Sequence, residues 1–262
     1  MTLVITDIED DIATLTLNNP ALHNPISDMS MVDALVTALS RADADPAVRV
    51  IILTGAGKSF SSGGNIRNML PDSPHSLAHA QPALTPGNYR NGIQRIPLLF
   101  EQLQKPVIAA VNGAAMGAGC DLACMCDIRI AARSARFAEN FVKLGLIPGD
   151  GGAWLLQRAV GYSKAAEMAL TGETIDAEGA LACGLVSRIV PDSQLLIEAR
   201  SLASRIAANP PHAVQQTKRL LMQGRQSALA TLLETAAAVQ ALMHTTEEHR
   251  AAVEAFNHRQ ST

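Results

Sequence analysis

The sequence is poor in aromatic residues, which make up 3% of its 262 positions. A surface that stacks the bases of single-stranded nucleic acid is built from aromatic side chains, so this chain has little to build one with. An excess of positive charge is also lacking, because 21 Lys and Arg stand against 24 Asp and Glu. Since no basic field is available to neutralise phosphates, nucleic acid is not an expected partner.

Long apolar runs are missing as well. No stretch reaches the roughly 18 consecutive apolar residues that a membrane span needs. The N-terminal segment MTLVITDIEDD has no basic leader followed by an apolar stretch, as a targeting signal would have. The sequence therefore predicts a soluble, cytoplasmic protein that does not act at a membrane.

Cysteine is scarce, with four residues in the chain, three of them within 120–126. That number is too small for a disulfide framework, and the C-x3-C-x-C spacing has neither a second cysteine pair nor a nearby histidine. His75 and His79 are spaced like ligands on a helix, but no third ligand is close to them. The sequence therefore predicts buried, unpaired cysteines and no metal site.

What the chain does have is 48% apolar residues, in patterns that alternate between strand and helix periods. The pattern predicts an α/β fold, with a helical final third that could pack on its own core or on a neighbour. The segment from Pro71 to Gly92 has no period and predicts an irregular insert. The predicted strands are 3–5, 12–17, 48–53, 107–111, 128–131, 136–137 and 185–190, and the first two predicted helices are 31–39 and 89–104.

Two glycine-rich turns follow predicted strands: FSSGGN at 60–65 and NGAAMGAGCD at 112–121. Small residues leave the backbone N–H groups of such turns accessible, and a helix that starts at the turn adds its positive dipole end. Two turns of this kind can form a hole that stabilises an oxyanion. Close packing of a strand on a helix also requires glycine, and spacing alone leaves both interpretations open.

Other catalytic motifs fail on spacing. GAGKS at 55–59 resembles the end of a phosphate-binding loop, but Ile52 stands where that loop needs its first glycine. The glycines at 113, 117 and 119 do not fit the dinucleotide pattern, and Ser61 lacks the glycine that precedes a nucleophile elbow serine. The sequence therefore predicts neither a nucleotide cofactor nor a serine nucleophile.

Four blocks in order carry a family resemblance. They are GAGKSFSSGGNI, KPVIAAVNGAAMGAGCDLACMCDIRIAA, ARFAENFVKLGLIPGDGGAWLLQRAVG and LTGETIDAEGALACGLVSRIVP. With these blocks the chain resembles the crotonase superfamily, also called the enoyl-CoA hydratase/isomerase family. The resemblance implies a spiral of ββα turns over residues 1–195 and a helical region, 196–262, that is used in trimer assembly. It also implies acyl-CoA substrates, trimers that pair into hexamers, and no cofactor besides the coenzyme A of the substrate.

The resemblance also assigns roles to residues of the two glycine turns. It implies that the backbone N–H groups of Gly64 and Ala118 form the oxyanion hole. It places Gly64, Asn65 and Ile66 where relatives hold the adenine end of coenzyme A. Asn65 stands where relatives usually have aspartate, which puts one contact to the adenine end in doubt.

The acid/base positions depart further from the family pattern. Relatives that hydrate a double bond carry two glutamates, and here Asp121 and Phe141 occupy those positions. Asp150 follows by one residue the position of a catalytic aspartate in dehalogenase and epoxide isomerase relatives. Glu139 precedes Phe141 by two residues and, on a strand, would be displaced from it by roughly 7 Å. Asp121 and Asp150 are equally explained as a first-turn carboxylate and a helix cap.

The combined expectation is an enzyme that polarises a thioester carbonyl and moves a proton on the acyl chain. Isomerisation is favoured over hydration, because a single carboxylate can shuttle a proton whereas addition of water normally uses two. Asp121 is narrowly preferred as the acid/base group, with Asp150 as the alternative or partner. Hydrolysis or dehalogenation through Asp150 and a non-catalytic CoA-binding protein are the competing hypotheses. The acyl group is not readable from the sequence.

Overall fold

The structure, a computed structural model, describes residues 2–70, 73 and 76–260. Within these residues the chain alternates short strands with helices. The strands are β1 Val4–Glu9, β2 Ile12–Leu17, β3 Val50–Gly55, β4 Ser59–Ser61, β5 Val107–Val111, β6 Ala114–Met116, β7 Ile128–Ala132, β8 Arg136–Ala138, β9 Thr174–Asp176 and β10 Arg188–Val190. The α-helices are α1 Met29–Ala44, α2 Thr85–Asn91, α3 Arg95–Phe100, α4 Ala118–Met125, α5 Gly152–Val160, α6 Tyr162–Thr171, α7 Ala177–Ala182, α8 Leu195–Ala207, α9 Pro211–Gly224, α10 Leu229–Met243 and α11 Glu247–Gln260.

The main sheet has six strands in the order β1-β2-β3-β5-β7-β10. The β1-β2 hairpin is antiparallel, and the other neighbours are parallel. Because side chains alternate along a strand, Ile51 and Leu53 of β3 join one apolar cluster, and Val50 and Ile52 join the other. Both faces of the central strands β3 and β5 are therefore buried, which explains their continuous apolar runs.

A second, smaller sheet has the order β4-β6-β8-β9, in which β4, β6 and β8 are parallel. Three successive stretches of chain each place one strand in the main sheet and the next strand in the small sheet before turning into helical structure. These pairs are β3 with β4, β5 with β6, and β7 with β8. The predicted spiral of ββα turns is confirmed.

Local differences from the predicted elements have physical causes. The predicted helix 89–104 is interrupted at Gly92, where the backbone leaves the helical region and α2 ends. The segments 128–131 and 136–137 are strands, but they belong to different sheets. Strands β4, β6 and β9 were not predicted, because three residues are too few to show a period. In the predicted irregular insert, residues 76–92 include α2, whereas 71, 72, 74 and 75, among them His75, lie outside the described residues.

The C-terminal helices differ in how firmly they join this core. Leu195, Ala199 and Ala203 of α8 are buried in the apolar cluster on one face of the main sheet. The Nζ atom of Lys218 on α9 donates to the backbone carbonyl of Lys105 and lies 2.8 Å from Asp127. By contrast, α10 buries none of its residues. The division of the chain at residue 195 stays a prediction.

No helix among the described residues is long and apolar enough to cross a membrane.

Candidate active site at the ends of the small sheet

The two predicted glycine turns meet at one edge of the small sheet. Strands β4 and β6 are parallel neighbours, so their carboxyl ends lie side by side. Gly63 has a φ of +77°, and a Cβ atom there would clash with the carbonyl oxygen of Met116. A Cβ atom on Gly119 would likewise clash with the carbonyl oxygen of Ser61. These glycines are required by the close approach of the two backbones.

The close approach also leaves two N–H groups free. Among the described residues, the N–H groups of Gly64 and Ala118 have no hydrogen-bond acceptor. Ala118 is the first residue of α4, where the helix itself offers its N–H no partner. Both residues line the same cavity, of about 120 Å³. The site thus offers two adjacent donors to a carbonyl oxygen, and their role as an oxyanion hole stays a prediction.

Asn65, which follows Gly64, uses its polar groups in contacts with neighbouring residues. Asn65 donates its backbone N–H to the Oγ of Ser27 and its Nδ2 to the carboxylate of Asp28, both over 2.9 Å. Its Oδ1 accepts from the N–H of Arg67 and caps a short 3-10 turn. Gly64, Asn65 and Ile66 line the cavity, and Ile66 is 66% exposed. Asn65 therefore builds the turn, while Ile66 is open to a ligand.

Phe141 also lines the cavity. It belongs to a 3-10 turn, residues Asn140–Leu144, that begins soon after β8 ends. A Cβ atom on Gly117 would lie 3.4 Å from the Phe141 ring, so this ring packs directly on the turn that leads into α4. An apolar ring therefore occupies the position at which hydratase relatives are expected to carry their second carboxylate.

Three buried carboxyl groups influence one another near this cavity: those of Asp121, Glu139 and Asp150. Asp121 lies in the first turn of α4, directly after β6, and Glu139 is the first residue after β8. Asp150 precedes α5, which packs on α4. A Cβ atom on Gly152 at the start of α5 would clash with the carboxyl group of Asp121, so glycine there leaves room for it.

All three side chains are buried, with 0%, 1% and 3% of the surface of Asp121, Glu139 and Asp150 exposed. None of their six oxygen atoms receives a hydrogen bond from another group of the described residues. An ionised carboxylate is purely an acceptor, so the three groups can satisfy one another only if they hold at least one proton. The cluster therefore keeps a proton that isolated carboxylates would lose.

Burial and like charge raise the pKa values in this cluster. The pKa of Asp121 is raised well above its usual range by burial and then by the charges of Asp150 and Glu139. Burial raises the pKa of Glu139 to about 7, although a hydrogen bond from Asp121 opposes this. Burial also raises the pKa of Asp150, and the hydrogen bond from Asp121 again opposes it. Burial and like charge thus favour the protonated form of Asp121.

Of the three carboxyl groups, Asp150 lines the cavity that contains Gly64 and Ala118, whereas Asp121 and Glu139 lie behind it. The side chain of Gln94 holds the turn before α5 by donating to the backbone carbonyl of Gly149 over 2.7 Å. The half-buried Tyr89 lies against the same turn, and its pKa is raised by burial and by the charge of Asp150. The turn therefore places Asp150 in the lining of the cavity, with both of its carboxyl oxygens buried, despite its one-residue offset from the position in relatives.

Glu139 is the site residue that sequence reasoning undervalued. The expectation that it lies on one strand with Phe141 is wrong, because β8 ends at Ala138 and a 3-10 turn follows. Glu139 points into the protein toward Asp121, and Phe141 points into the cavity. Gly64, Asp121 and Glu139 each come soon after a short strand. That these strands are neighbours in one sheet is visible only in the structure. Among the described residues, no group of three or more His, Cys, Asp or Glu side chains is arranged to hold a metal ion.

Comparison with known proteins adds to this geometry. The family model described as enoyl-CoA hydratase/isomerase matches residues 7–262. The chain is 36% identical to 2,3-dehydroadipyl-CoA hydratase of Escherichia coli, over 98% of this chain and 96% of that one. The chain belongs to the enoyl-CoA hydratase/isomerase family.

Relatives of this family member carry out different reactions. It is also 36% identical to 1,2-epoxyphenylacetyl-CoA isomerase of Escherichia coli, over 98% of this chain and 95% of that one. Its structure matches an enoyl-CoA hydratase from Bacillus anthracis with a TM-score of 0.88 and 32% identity, over 98% and 96% of the two chains. Family membership thus establishes an enzyme of the hydratase/isomerase type, and the distinction between the two reactions depends on the site.

Proposed function

We propose that this protein is an acyl-CoA isomerase in which Asp150 moves a proton along the acyl chain. The supporting observation is the placement of Asp150 in the cavity that also contains the free N–H groups of Gly64 and Ala118. A thioester carbonyl bound by the two N–H groups becomes more polarised, so its neighbouring carbon loses a proton more easily. The groups for both steps lie in one cavity.

The proposed reaction moves a double bond. The carboxylate of Asp150 removes a proton from the α-carbon of a 3-enoyl-CoA, and the electron pair delocalises onto the carbonyl oxygen as an enolate. The N–H groups of Gly64 and Ala118 stabilise the negative charge on that oxygen. Asp150 then returns the proton to the γ-carbon, which yields the 2-enoyl-CoA and restores the carboxylate. No group other than the substrate is consumed.

Hydration is disfavoured by Phe141, which replaces the second carboxylate expected in hydratase relatives. Addition of water needs one carboxylate to activate the water and a second group to deliver a proton to the α-carbon. Phe141 occupies the second position, and Asp121 and Glu139 are buried and do not line the cavity. These residues support isomerisation by a single carboxylate, that of Asp150 in the cavity lining.

The test is a panel of 2-enoyl-CoA and 3-enoyl-CoA thioesters of different chain lengths, with products identified by NMR. We expect 3-enoyl substrates to become 2-enoyl products, with unchanged rates in the presence of a metal chelator. A 3-hydroxyacyl product would instead establish hydration, and release of free coenzyme A would establish hydrolysis. Calorimetric binding of a thioester without any reaction would establish a binding protein, and heat with NAD but with no thioester would refute the proposal altogether.

A further inference from the structure

The turn that carries Gly64 is held by the segment that leads into α1. The N–H of Ile26 donates to the backbone carbonyl of Gly63 over 2.8 Å. That carbonyl and the N–H of Gly64 belong to one trans peptide unit, which is planar, so they point in opposite directions. The hydrogen bond from Ile26 therefore directs the N–H of Gly64 away from the segment before α1.

A second set of hydrogen bonds holds the chain on the other side of Gly64. The backbone N–H of Asn65 donates to the Oγ of Ser27, and the Nδ2 of Asn65 donates to the Oδ2 of Asp28. The Nδ2 of Asn68 donates to the other carboxylate oxygen of Asp28 over 2.8 Å. Asn65 caps the 3-10 turn that follows Gly64, and Asn68 is the last residue of that turn. The carboxylate of Asp28 thus joins both ends of the turn.

Asp28 stands at a position where aspartate commonly has a different task. It immediately precedes α1, and an aspartate there usually accepts a hydrogen bond from an N–H of the first helical turn. The carboxylate of Asp28 makes no such bond, and its oxygens bind Asn65 and Asn68 instead. Its backbone carbonyl still accepts from the N–H of Val32, in a helix that buries Leu35 completely. Asp28 is therefore an acceptor on a rigid support, used for the turn after Gly64.

We propose that Asp28 is a positioning residue that holds the N–H of Gly64 at the carbonyl oxygen of the substrate. Asp28 does not line the cavity, so it acts through Asn65 and Asn68. Hydrogen bonds to an ionised group are stronger than those between neutral groups, so two of them hold the turn firmly. The donors of an oxyanion hole stabilise charge best when they are fixed before the charge develops. This inference rests on the proposed function, because it assumes that Gly64 binds the thioester oxygen.

The first test exchanges the acid and the amide. Asp28→Ala removes the acceptor of both amides, and a misplacement of about 1 Å can cost on the order of 10²-fold, so kcat should fall by about tenfold or more. KM should change less, because the donors bind the oxyanion more strongly than the ground-state carbonyl. Asn65→Asp should also be slow, since it places two carboxylates together. In the double variant Asp28→Asn with Asn65→Asp, an amide at 28 can donate to 65 and accept from Asn68, so kcat should recover.

Asp33→Asn is the matched control, because Asp33 is an exposed carboxylate on the same helix and is paired with Arg95. Its kcat should match the wild type, and circular dichroism verifies folding of every variant. A folded Asp28→Ala with wild-type kcat would overturn the inference. If Asp28→Ala does not fold, the double variant decides, and a double variant no faster than Asn65→Asp alone would overturn the inference as well.

The second test reads the hole without turnover. The infrared band of the thioester carbonyl of butanoyl-CoA, a saturated thioester, moves to lower frequency when hydrogen bonds polarise that carbonyl. At saturating butanoyl-CoA the wild type should show this shift, Asp28→Ala a smaller one, and the double variant a restored one. If the wild type shows no shift, or if Asp28→Ala keeps the full shift, the inference is wrong. If the shifts behave as expected but no enoyl-CoA is isomerised, the proposed function fails and the positioning role of Asp28 stands.

Discussion

Gly152 leaves the space that the carboxyl group of Asp121 occupies. A Cβ atom at this position would overlap the carboxyl group of Asp121, which lies between the two other acids of the cluster. The carboxyl group has nowhere to move, because Asp121 is completely buried. The start of α5 and the first turn of α4 are therefore fitted to each other at the level of single atoms.

We expect Gly152→Ala to displace Asp121 and to reduce turnover by at least about tenfold, because a misplaced group of this kind costs transition-state stabilisation. Gly179→Ala is the matched control, since a Cβ atom near the start of α7 has its nearest contact at an ordinary 3.4 Å. The measurement is steady-state turnover on the substrate found in the thioester panel. Equal activity of the two variants would contradict the fitted arrangement.

The buried acids also have a signature in stability. Their folded-state pKa values are raised, so the folded protein binds protons more tightly than the unfolded chain in this range. The stability from these groups is complete below their unfolded pKa values and is lost as the pH rises through the folded ones. We expect the free energy of unfolding to fall between about pH 5 and about pH 8.

In Asp121→Asn this fall should be smaller, because an amide carries no charge and can donate to a neighbouring carboxylate. The variant should exceed the wild type by about 1 kcal/mol or more at the higher pH. Urea unfolding at fixed protomer concentration measures this, and Glu173→Gln serves as the exposed control. A wild type that becomes more stable as the pH rises across this range would refute the assignment of raised pKa values.

The residues of the site could be anticipated only in part. The two glycine-rich turns were identifiable from a strong local pattern, and the family resemblance then singled out Gly64 and Ala118 within them. The contact between Glu139 and Asp121 was not identifiable, because it depends on which strands become neighbours in the small sheet. The position of Asp150 in the cavity lining could not be predicted either, since it depends on how Gln94 and Tyr89 hold a turn more than fifty residues away.

At the level of elements, α4 connects fold and chemistry. Its first residue, Ala118, offers a free N–H, and its first turn carries Asp121. A helix that starts immediately after a strand directs its N-terminus at the edge of the sheet, where a developing negative charge is stabilised. The first position of a helix also tolerates proline, because its N–H has no partner within the helix.

Ala118→Pro should therefore fold and still lose one donor of the oxyanion hole. We expect turnover to fall by about 10²–10³, the usual cost of one such donor. Ala177→Pro is the matched control, because Ala177 is the first residue of α7 and lies outside the site. Circular dichroism verifies folding of both variants. Full activity in folded Ala118→Pro would exclude its N–H from the hole.

Elements were predicted well where a single pattern decides them. The apolar runs of β3 and β5 and the periodic face of α1 are local features, and each is present in the structure. The short β9 and the break at Gly92 were missed, because their conformations are determined by the strands and side chains packed around them. Glycine is required at position 92, because a Cβ atom there would clash with the backbone carbonyl of Asn88 and lie close to Leu77.

At the level of the whole molecule, α10 remains uncovered. It buries none of its residues, and Leu229, Leu233 and Leu242 are 71%, 58% and 64% exposed. Leu144 and Ile147, in the segment between Phe141 and Asp150, are also exposed. Apolar surface of this extent usually marks a protein interface. We propose that these surfaces are covered in a trimer or a dimer of trimers.

Light scattering at micromolar concentration should give a mass that is three or six times the 27.6 kDa of one chain. Leu233→Glu should lower that mass, because a charge on the exposed face of α10 cannot be buried without cost. Lys58→Met, a change of charge at an exposed position, should leave the mass unchanged. A wild type that scatters as a single chain would refute the proposed assembly.

The most direct test of the account is the exchange of acyl-CoA α-protons with deuterated water, compared between Asp150→Asn and Asp121→Asn. In the proposed mechanism Asp150 removes the proton, so Asp150→Asn should lose about a hundredfold or more of the exchange rate while still binding the thioester. Asp121→Asn should lose no more than about tenfold, because Asp121 acts through Asp150. Full exchange by Asp150→Asn, together with a hundredfold loss in Asp121→Asn, would contradict the account and assign the proton transfer to Asp121.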